Sequence, residues 1–340
     1  LATLVPMKRI GWIWLFFALT SALANAQAKT EAYHITVYTG YSDGRKLLLE
    51  GRITKARPQP VVSATDNARK NLKHNLRQFF NKEGEGWPVE FWAGGVHFQA
   101  RTDGEGYFRV EEEIPGGLPV GWQTVLARTV VSPGGKVKPA FGRGRILTIP
   151  PENTRGLISD IDDTILISEV LSKRRLLKNT FLKNPAQRRA VEGVAKLYTE
   201  VASSNPKPEA APLFYLSGSP RQLYGGLTQF LQRNHFPKGV LLTKRISLDS
   251  ASDAWLNQVA YKTKKIQEIF EYFPHVCFIL VGDDGEGDPE VYEGVRKRYP
   301  QRVEAIWIRR VHPGVGRVRF ENQLDLAEVL RGPGGGVVPE

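Results

Sequence analysis

The chain of 340 residues carries 47 lysines and arginines against 35 acids, a formal net charge of +12. Its 41% hydrophobic and 24% charged content is that of an ordinary globular protein, long enough for two domains. One cysteine, Cys277, excludes an intramolecular disulfide, and the six histidines lack ligand spacing, which argues against a zinc or iron site. The basic balance favours anionic partners, namely phosphate esters, lipid surfaces or nucleic acid, and no nucleic-acid motif accompanies it.

At the amino end, Met7, Lys8 and Arg9 precede the apolar run IGWIWLFFAL and then TSALANAQA. A basic n-region, an apolar h-region and small residues of A-x-A type read as a signal peptide over residues 1–26, cut after Ala26. The six residues before Met7 are read as a misassigned start. The apolar run is shorter than the about 20 residues of a spanning helix. An uncleaved anchor in the inner membrane is the alternative. The expected destination is outside the cytoplasm, periplasmic or secreted, with the mature chain near +10.

Residues 27–150 are β-rich. YHITVYTGY, LLLEGRIT, WPVEFWAGGVHFQARTD, GYFRVEEEI, WQTVLARTVV and GRGRILTIP are short segments, several of alternating polarity, between turns such as SDGR, TDGEG and SPGGK. They predict a sandwich-like domain. A basic stretch, ATDNARKNLKHNLRQFFNKEG, interrupts them as a helix or long loop.

After Pro150 the pattern changes. GLIS, LFYLS, GVLLT, CFILV and VEAIWI are continuous apolar runs separated by helical segments, as in a parallel sheet covered on both faces. This domain spans 151–331, and residues 332–340 form a flexible tail. Cys277, inside VCFILV, reads as a buried strand residue. Ligands of such sheets bind beyond the carboxyl ends of the strands. There the sequence places Asp160, Asp162, Asp163 and Thr164 after the first run, and Ser217, Gly218, Ser219 and Pro220 after the second. Asp283, Asp284 and Asp288 follow CFILVG. Carboxylates and hydroxyls delivered by three strands to one edge suit a hard divalent cation such as Mg²⁺.

DIDDT fits the D-x-D-x-T motif of the haloacid-dehalogenase (HAD) phosphatases. Ser217 fits their second motif, Lys262 in YKTKKIQEIF the third, and GDDGEGD the fourth. SDIDDTI, YLSGSPRQLY and FILVGDDGEGDPEVY resemble the catalytic domain of the actin-patch-associated phosphatidate phosphatases and their bacterial relatives, over roughly residues 150 to 312. The resemblance implies an α/β fold, a HAD-like Rossmannoid parallel sheet with flanking helices behind the all-β domain. It implies a Mg²⁺-dependent phosphoric monoester hydrolase that forms an aspartyl-phosphate and converts phosphatidate to diacylglycerol. Soluble esters such as nucleotides are the alternative substrate class, and an inactive envelope-binding scaffold is the alternative of another kind.

By the same resemblance Asp160 is the nucleophile and Asp162 the acid and base. Ser217 and Lys262 bind phosphoryl oxygens. The metal is held by Asp160, the Asp162 carbonyl, Asp283 and Asp288. Thr164, Gly218, Ser219 and Arg221 are expected at the substrate phosphate. Several positions carry structural alternatives. Asp160 with Asp162 also suits an Asx turn. Asp163 suits a cap or a partner behind the site. Ser219 before Pro220 and Asp288 before Pro289 suit helix starts. Asp284 competes with Asp283, and Lys264 and Lys265 with Lys262. The segment LSKRRLLKNTFLKNPAQRRAVEG, seven basic residues to one Glu, is either a solvated face or a basic cap that meets an anionic lipid or nucleotide. Peripheral contact with a membrane is an expected partnership, and no nucleic acid is expected.

Overall fold

The computed structural model describes residues 32–56, 67, 84–130, 139–167, 187–245, 254–311 and 319–332. The signal peptide expected at 1–26, nearly all of the basic stretch 64–84, residues 171–186 of the basic segment between the first two motifs, and the tail beyond Gly332 lie outside the described residues.

The amino-terminal sheet contains β1 (Tyr33–Val37), β2 (Gly40–Ser42), β3 (Lys46–Lys55), β4 (Pro88–Ala93), β5 (Val96–Arg101), β6 (Tyr107–Glu113), β7 (Gly121–Thr129) and β8 (Phe141–Thr148). The sequence predicts a sandwich, which has two separate sheets. Here all eight strands share one hydrogen-bonded network, in the order β1-β3-β2-β8-β7-β4-β5 with β6 on the other side of β3. The short β2 stitches it together, antiparallel to β3 and parallel to β8. The sheet folds back so that β1 lies across β8. The approach is close enough that a Cβ on Gly142 would stand 2.3 Å from the Ile35 carbonyl oxygen, so only glycine fits there. Inward-facing residues of alternating strands, among them Ile35, Leu47, Val89, Phe91, Val125 and Ile146, fill the enclosed core.

Beyond Pro150 the pairing becomes parallel. The elements are β9 (Arg155–Ser159), β10 (Leu166–Ile167), β11 (Arg189–Ala190), α1 (Val194–Ser203), β12 (Leu213–Pro220), α2 (Tyr224–Arg233), β13 (Val240–Lys244), α3 (Ala254–Tyr272), β14 (Cys277–Asp283), α4 (Asp288–Arg298), β15 (Val303–Arg309), β16 (Gln323–Asp325) and α5 (Leu326–Arg331). Six strands form a sheet in the order β13-β12-β9-β14-β15-β16, every neighbour parallel. β16 is a strand that the sequence pattern does not announce. β10 and β11 make a separate small antiparallel pair.

The continuous apolar runs are explained by helices on both faces. Ile158, Phe214, Leu216, Phe278 and Leu280 meet Ile266, Ile269 and Phe270 of α3, Phe273 just past its end, and Val291 and Tyr292 of α4. Leu157, Leu213, Tyr215, Ile279 and Val281 meet Val194 and Tyr198 of α1 and Leu227 and Phe230 of α2. The chain leaves β9 toward β12 and β13, then returns to the other side of β9 as β14. The carboxyl ends of β9 and β14 therefore flank the crevice where the strand order reverses.

The first of these two cores crosses the Pro150 boundary. Tyr41, Leu48, Leu147 and Ile149 pack in it. Tyr41 is fully buried, with ring centroids 4.9 Å from Tyr272, 5.6 Å from Phe214 and 5.8 Å from Phe273. The two sheets are thus joined by apolar burial, which makes their unfolding cooperative. Tyr41→Ala is expected to cost about 3 kcal/mol. Denaturant unfolding should remain one transition at a lower midpoint, for probes on either sheet.

Candidate active site

β9 ends in Ser159, and the next residue, Asp160, donates its amide to the Val281 carbonyl of β14. This bond holds Asp160 at the crevice. The chain then turns through Asp163, whose φ of 58° is tolerated by aspartate, and whose carbonyl accepts 2.6 Å from Arg309 Nη1. Asp163 builds the turn. The same turn places Thr164 so that its hydroxyl reaches Asp160 Oδ2 at 3.1 Å and Asp283 Oδ2 at 3.3 Å. Thr164, expected at the phosphate, joins two carboxylates instead.

Lys262 comes from the middle of α3, and its side chain is almost wholly buried. Its Nζ lies 2.8 Å from Asp160 Oδ1, 2.5 Å from Asp288 Oδ1 and 3.7 Å from Glu286. Lys264 and Lys265 point elsewhere, to Glu268. The choice left open among three lysines falls on Lys262. Asp288 is the first residue of α4, whose cap is Gly287, so it is not a capping side chain. Its Oδ2 accepts from the Asp283 amide at 3.4 Å. A Cβ on Gly282 would stand 2.5 Å from that same oxygen, so glycine is required for Asp288 to come this close. Asp283 accepts from the Gly285 amide at 2.7 Å. Asp284 is turned away and accepts from the Val311 amide at 2.7 Å, so Asp283, not Asp284, faces the centre.

Asp160, Asp283 and Asp288 are all buried, and each offers a carboxylate oxygen within 4.8 Å of the others. Three hard oxygen donors converging in one place suit a divalent cation of the Mg²⁺ kind. The charges here do not balance, since among the described residues only Lys262 comes within ion-pair distance of these three acids. Burial pushes the Asp160 carboxyl well above the ordinary range; Lys262 pulls it down, and Asp288 and Asp283 push it further up. Burial and Asp288 likewise raise Asp283. Burial opposes the Lys262 ammonium, but Asp160 and Asp288 more than offset it, so the lysine stays protonated.

The Asp162 side chain lies outside this carboxylate triad. Its Oδ2 accepts from the hydroxyls of Ser217 and Ser219, each at 2.9 Å, and the Ser219 amide donates to Ser217 Oγ at 3.0 Å. β12 runs on through Pro220, so α2 begins only at Tyr224 and Ser219 caps nothing. Gly218 lies between the two serines against Gln258.

Arg221 departs from expectation. Its Nη2 pairs with Glu50 of β3 at 2.5 Å, its Nε reaches the Thr243 carbonyl at 3.4 Å, and its guanidinium lies 5.1 Å from the Tyr38 ring centroid. These partners commit Arg221 to joining the two sheets, beside a second link from Thr39 to the Tyr224 hydroxyl. The placement of Arg221 after the serine loop suggests a substrate ligand, and only the folded amino-terminal sheet reveals its acidic partner. Conversely, Arg188, one of seven basic residues in its segment, is buried just before β11 and is drawn electrostatically toward Asp162. Sequence alone gives no signal that singles it out. Cys277 is half-buried at the start of β14, the end opposite Asp283.

Two variants test this geometry. A carboxyl whose folded pKa is raised stabilises the fold below its unfolded pKa, and that contribution is lost as pH rises through the folded value. In chelator, thermal melts of Asp283→Asn should therefore gain on the wild type as pH rises from about 4 to about 8. Adding Mg²⁺ should raise the wild-type melt and leave the variant nearly unchanged. Arg221→Gln should lower the unfolding free energy by about 2 kcal/mol, because it removes the charged bond to Glu50 and leaves that carboxylate only Arg109, at 3.3 Å, while KM stays close to wild type. A large rise in KM without loss of stability would restore Arg221 to the substrate.

Residues 155–310 match the family described as phosphatidate phosphatase APP1, catalytic domain. Phosphatidate phosphatase APP1 of Saccharomyces cerevisiae is 36% identical over 158 residues, 45% of this chain and 25% of that protein. An uncharacterized protein of Schizosaccharomyces pombe, C29B5.04c, is 24% identical over 239 residues, 69% of this chain and 39% of that one. The chain thus spans well under half the length of these curated relatives. Among solved structures, a bacterial immunoglobulin-like domain from the M. primoryensis ice-binding adhesin aligns with 36% of this chain and 99% of its own, at 11% identity and a TM-score of 0.20, too slight a likeness to carry an argument. The order of motifs, the site they form and the span of the family match agree: residues 155–310 of this chain belong to the APP1 phosphatidate phosphatase catalytic-domain family.

Proposed function

We propose that the chain is a Mg²⁺-dependent, HAD-type phosphatase that hydrolyses phosphatidate to diacylglycerol and inorganic phosphate. The observation that carries the reading is the buried cluster of Asp160, Asp283 and Asp288 around Lys262, with Asp162 held alongside by two serine hydroxyls. Family membership supplies the substrate class. The basic net charge and the leader-like run after Met7 support an exported enzyme that meets anionic lipid.

Asp160, Asp283 and Asp288, with the Asp162 carbonyl, would hold the cation. When bound, Mg²⁺ supplies the positive charge that favours ionised carboxylates and offsets their repulsion of a phosphate. The chain's own groups carry the transfer. An Asp160 carboxylate oxygen attacks phosphorus, forming the aspartyl-phosphate as the bond to the lipid oxygen breaks. Asp162 gives its proton to the departing alkoxide, and then takes one from the water that attacks the same phosphorus and frees Asp160. Ser217 and Ser219 fix the Asp162 carboxyl in place for both steps. Lys262 orients Asp160 and balances charge that builds on the phosphoryl oxygens.

Phosphate release from phosphatidate in mixed micelles, beside a soluble aryl phosphate, tests this. Wild-type turnover on the lipid should vanish in EDTA, return with Mg²⁺, and fall by at least about 10⁴-fold in Asp160→Asn. Turnover confined to the aryl phosphate would keep the mechanism and remove the lipid. Silence on both, with no Mg²⁺ binding by calorimetry, would leave a binding protein built on this fold.

A further inference from the structure

Few large apolar side chains are exposed among the described residues, and three of them share one surface. Leu126 is 54% exposed, Val130 43% and Phe141 65%. Strand register places them together. Leu126 on β7 stands between Trp92 on β4 and Arg143 on β8, and Arg128 stands between Glu90 and Phe141. Alternation along β7 sends Val125 and Ala127 into the core and leaves Thr124, Leu126 and Arg128 outside. Along β8 it exposes Phe141, Arg143 and Arg145.

The same surface is basic. β7 and β8 contain no acid between them. Arg143 and Arg145 make no ion pair among the described residues, and Arg101 of β5 is exposed nearby. The acid of the patch, Glu90, is engaged by Arg128 at 2.8 Å, and that guanidinium lies 5.0 Å from the Trp92 ring centroid. Trp92 is thus half-buried on the outer face, while Trp87 of the same segment is buried.

We propose that the outer face of β4, β5, β7 and β8 docks on the surface of an anionic lipid bilayer. Charge complementarity selects the partner's sign. Aliphatic Leu126 and Val130 select its phase, because a bilayer offers hydrocarbon just beneath its phosphates and a nucleic acid does not. Binding at such a boundary grows with apolar area and with the number of basic residues near anionic headgroups. The side chains stand on paired strands, so little ordering is needed on contact. The site turns over phosphate esters in the reading above, and this face deepens that reading by presenting the enzyme to a membrane. Its test measures partition, not turnover, so the two fail separately.

The full chain would be sedimented with vesicles of phosphatidylcholine, alone or containing phosphatidylglycerol, an anionic lipid with no phosphate monoester for the active site to hold. The wild type should partition onto the anionic vesicles only, less so as salt rises. Arg143→Gln with Arg145→Gln should lower partition on the order of 30-fold. Phe141→Ser should lower it about tenfold. These positions are exposed, so circular dichroism and aryl phosphate turnover should match the wild type. Equal partition of wild type and variants, no partition onto either vesicle, or preference for a nucleic acid in competition with vesicles would each overturn the proposal.

Discussion

The burial of one ammonium group governs this molecule. Lys262 lies in the middle of α3, sealed from water, where an uncompensated charge costs several kcal/mol. Asp160 at the end of β9 and Asp288 at the start of α4 offset that cost, and they do so only if strand, loop and both helices hold their places. The reverse also holds. Three carboxylates within 4.8 Å of one another tolerate burial only near a positive charge. The lysine and the acids therefore require each other, and their mutual placement fixes the carboxyl-end crevice of the parallel sheet. The acids still outnumber the lysine, which is the electrostatic condition for taking up a divalent cation.

The serine loop is held by a different device. Ser217 and Ser219 clasp Asp162 on one side, and on the other the chain passes into Arg221, which is tied to Glu50 across the sheet boundary. The amino-terminal sheet is joined to the parallel sheet both by apolar burial around Tyr41 and by this ion pair beside the serine loop. A free-standing accessory domain would need neither. One face of that sheet is therefore committed inward, and the opposite face, on β4, β5, β7 and β8, carries its arginines and apolar side chains outward.

Much of this was legible beforehand. Continuous apolar runs announced the buried parallel strands, because both faces of such strands need apolar partners. The motif spacing pointed to Asp160, Asp162, Ser217 and Asp288, and narrowed two further positions to one of Lys262, Lys264 and Lys265 and one of Asp283 and Asp284, because each lies near the carboxyl end of a strand or on a helix at a set distance from one. The readings that changed share a cause. Ser219 reads as a cap when the strand is assumed to stop before Pro220. Arg221 reads as a substrate ligand when Glu50, 171 residues away, is not known to be its neighbour.

By itself, then, the sequence determined the class of most elements, the carboxylate and hydroxyl chemistry at the strand ends, and the family of residues 155–310. Those features are local, set by periodicity, turn chemistry and short spacings. Tertiary structure alone decided which of Lys262, Lys264 and Lys265 enters the site, and which of Asp283 and Asp284 faces it. It also decided that Arg221 braces the two sheets. These choices depend on contacts between residues far apart in the chain, where burial and the pairing of opposite charges select one partner among several that local pattern leaves equivalent.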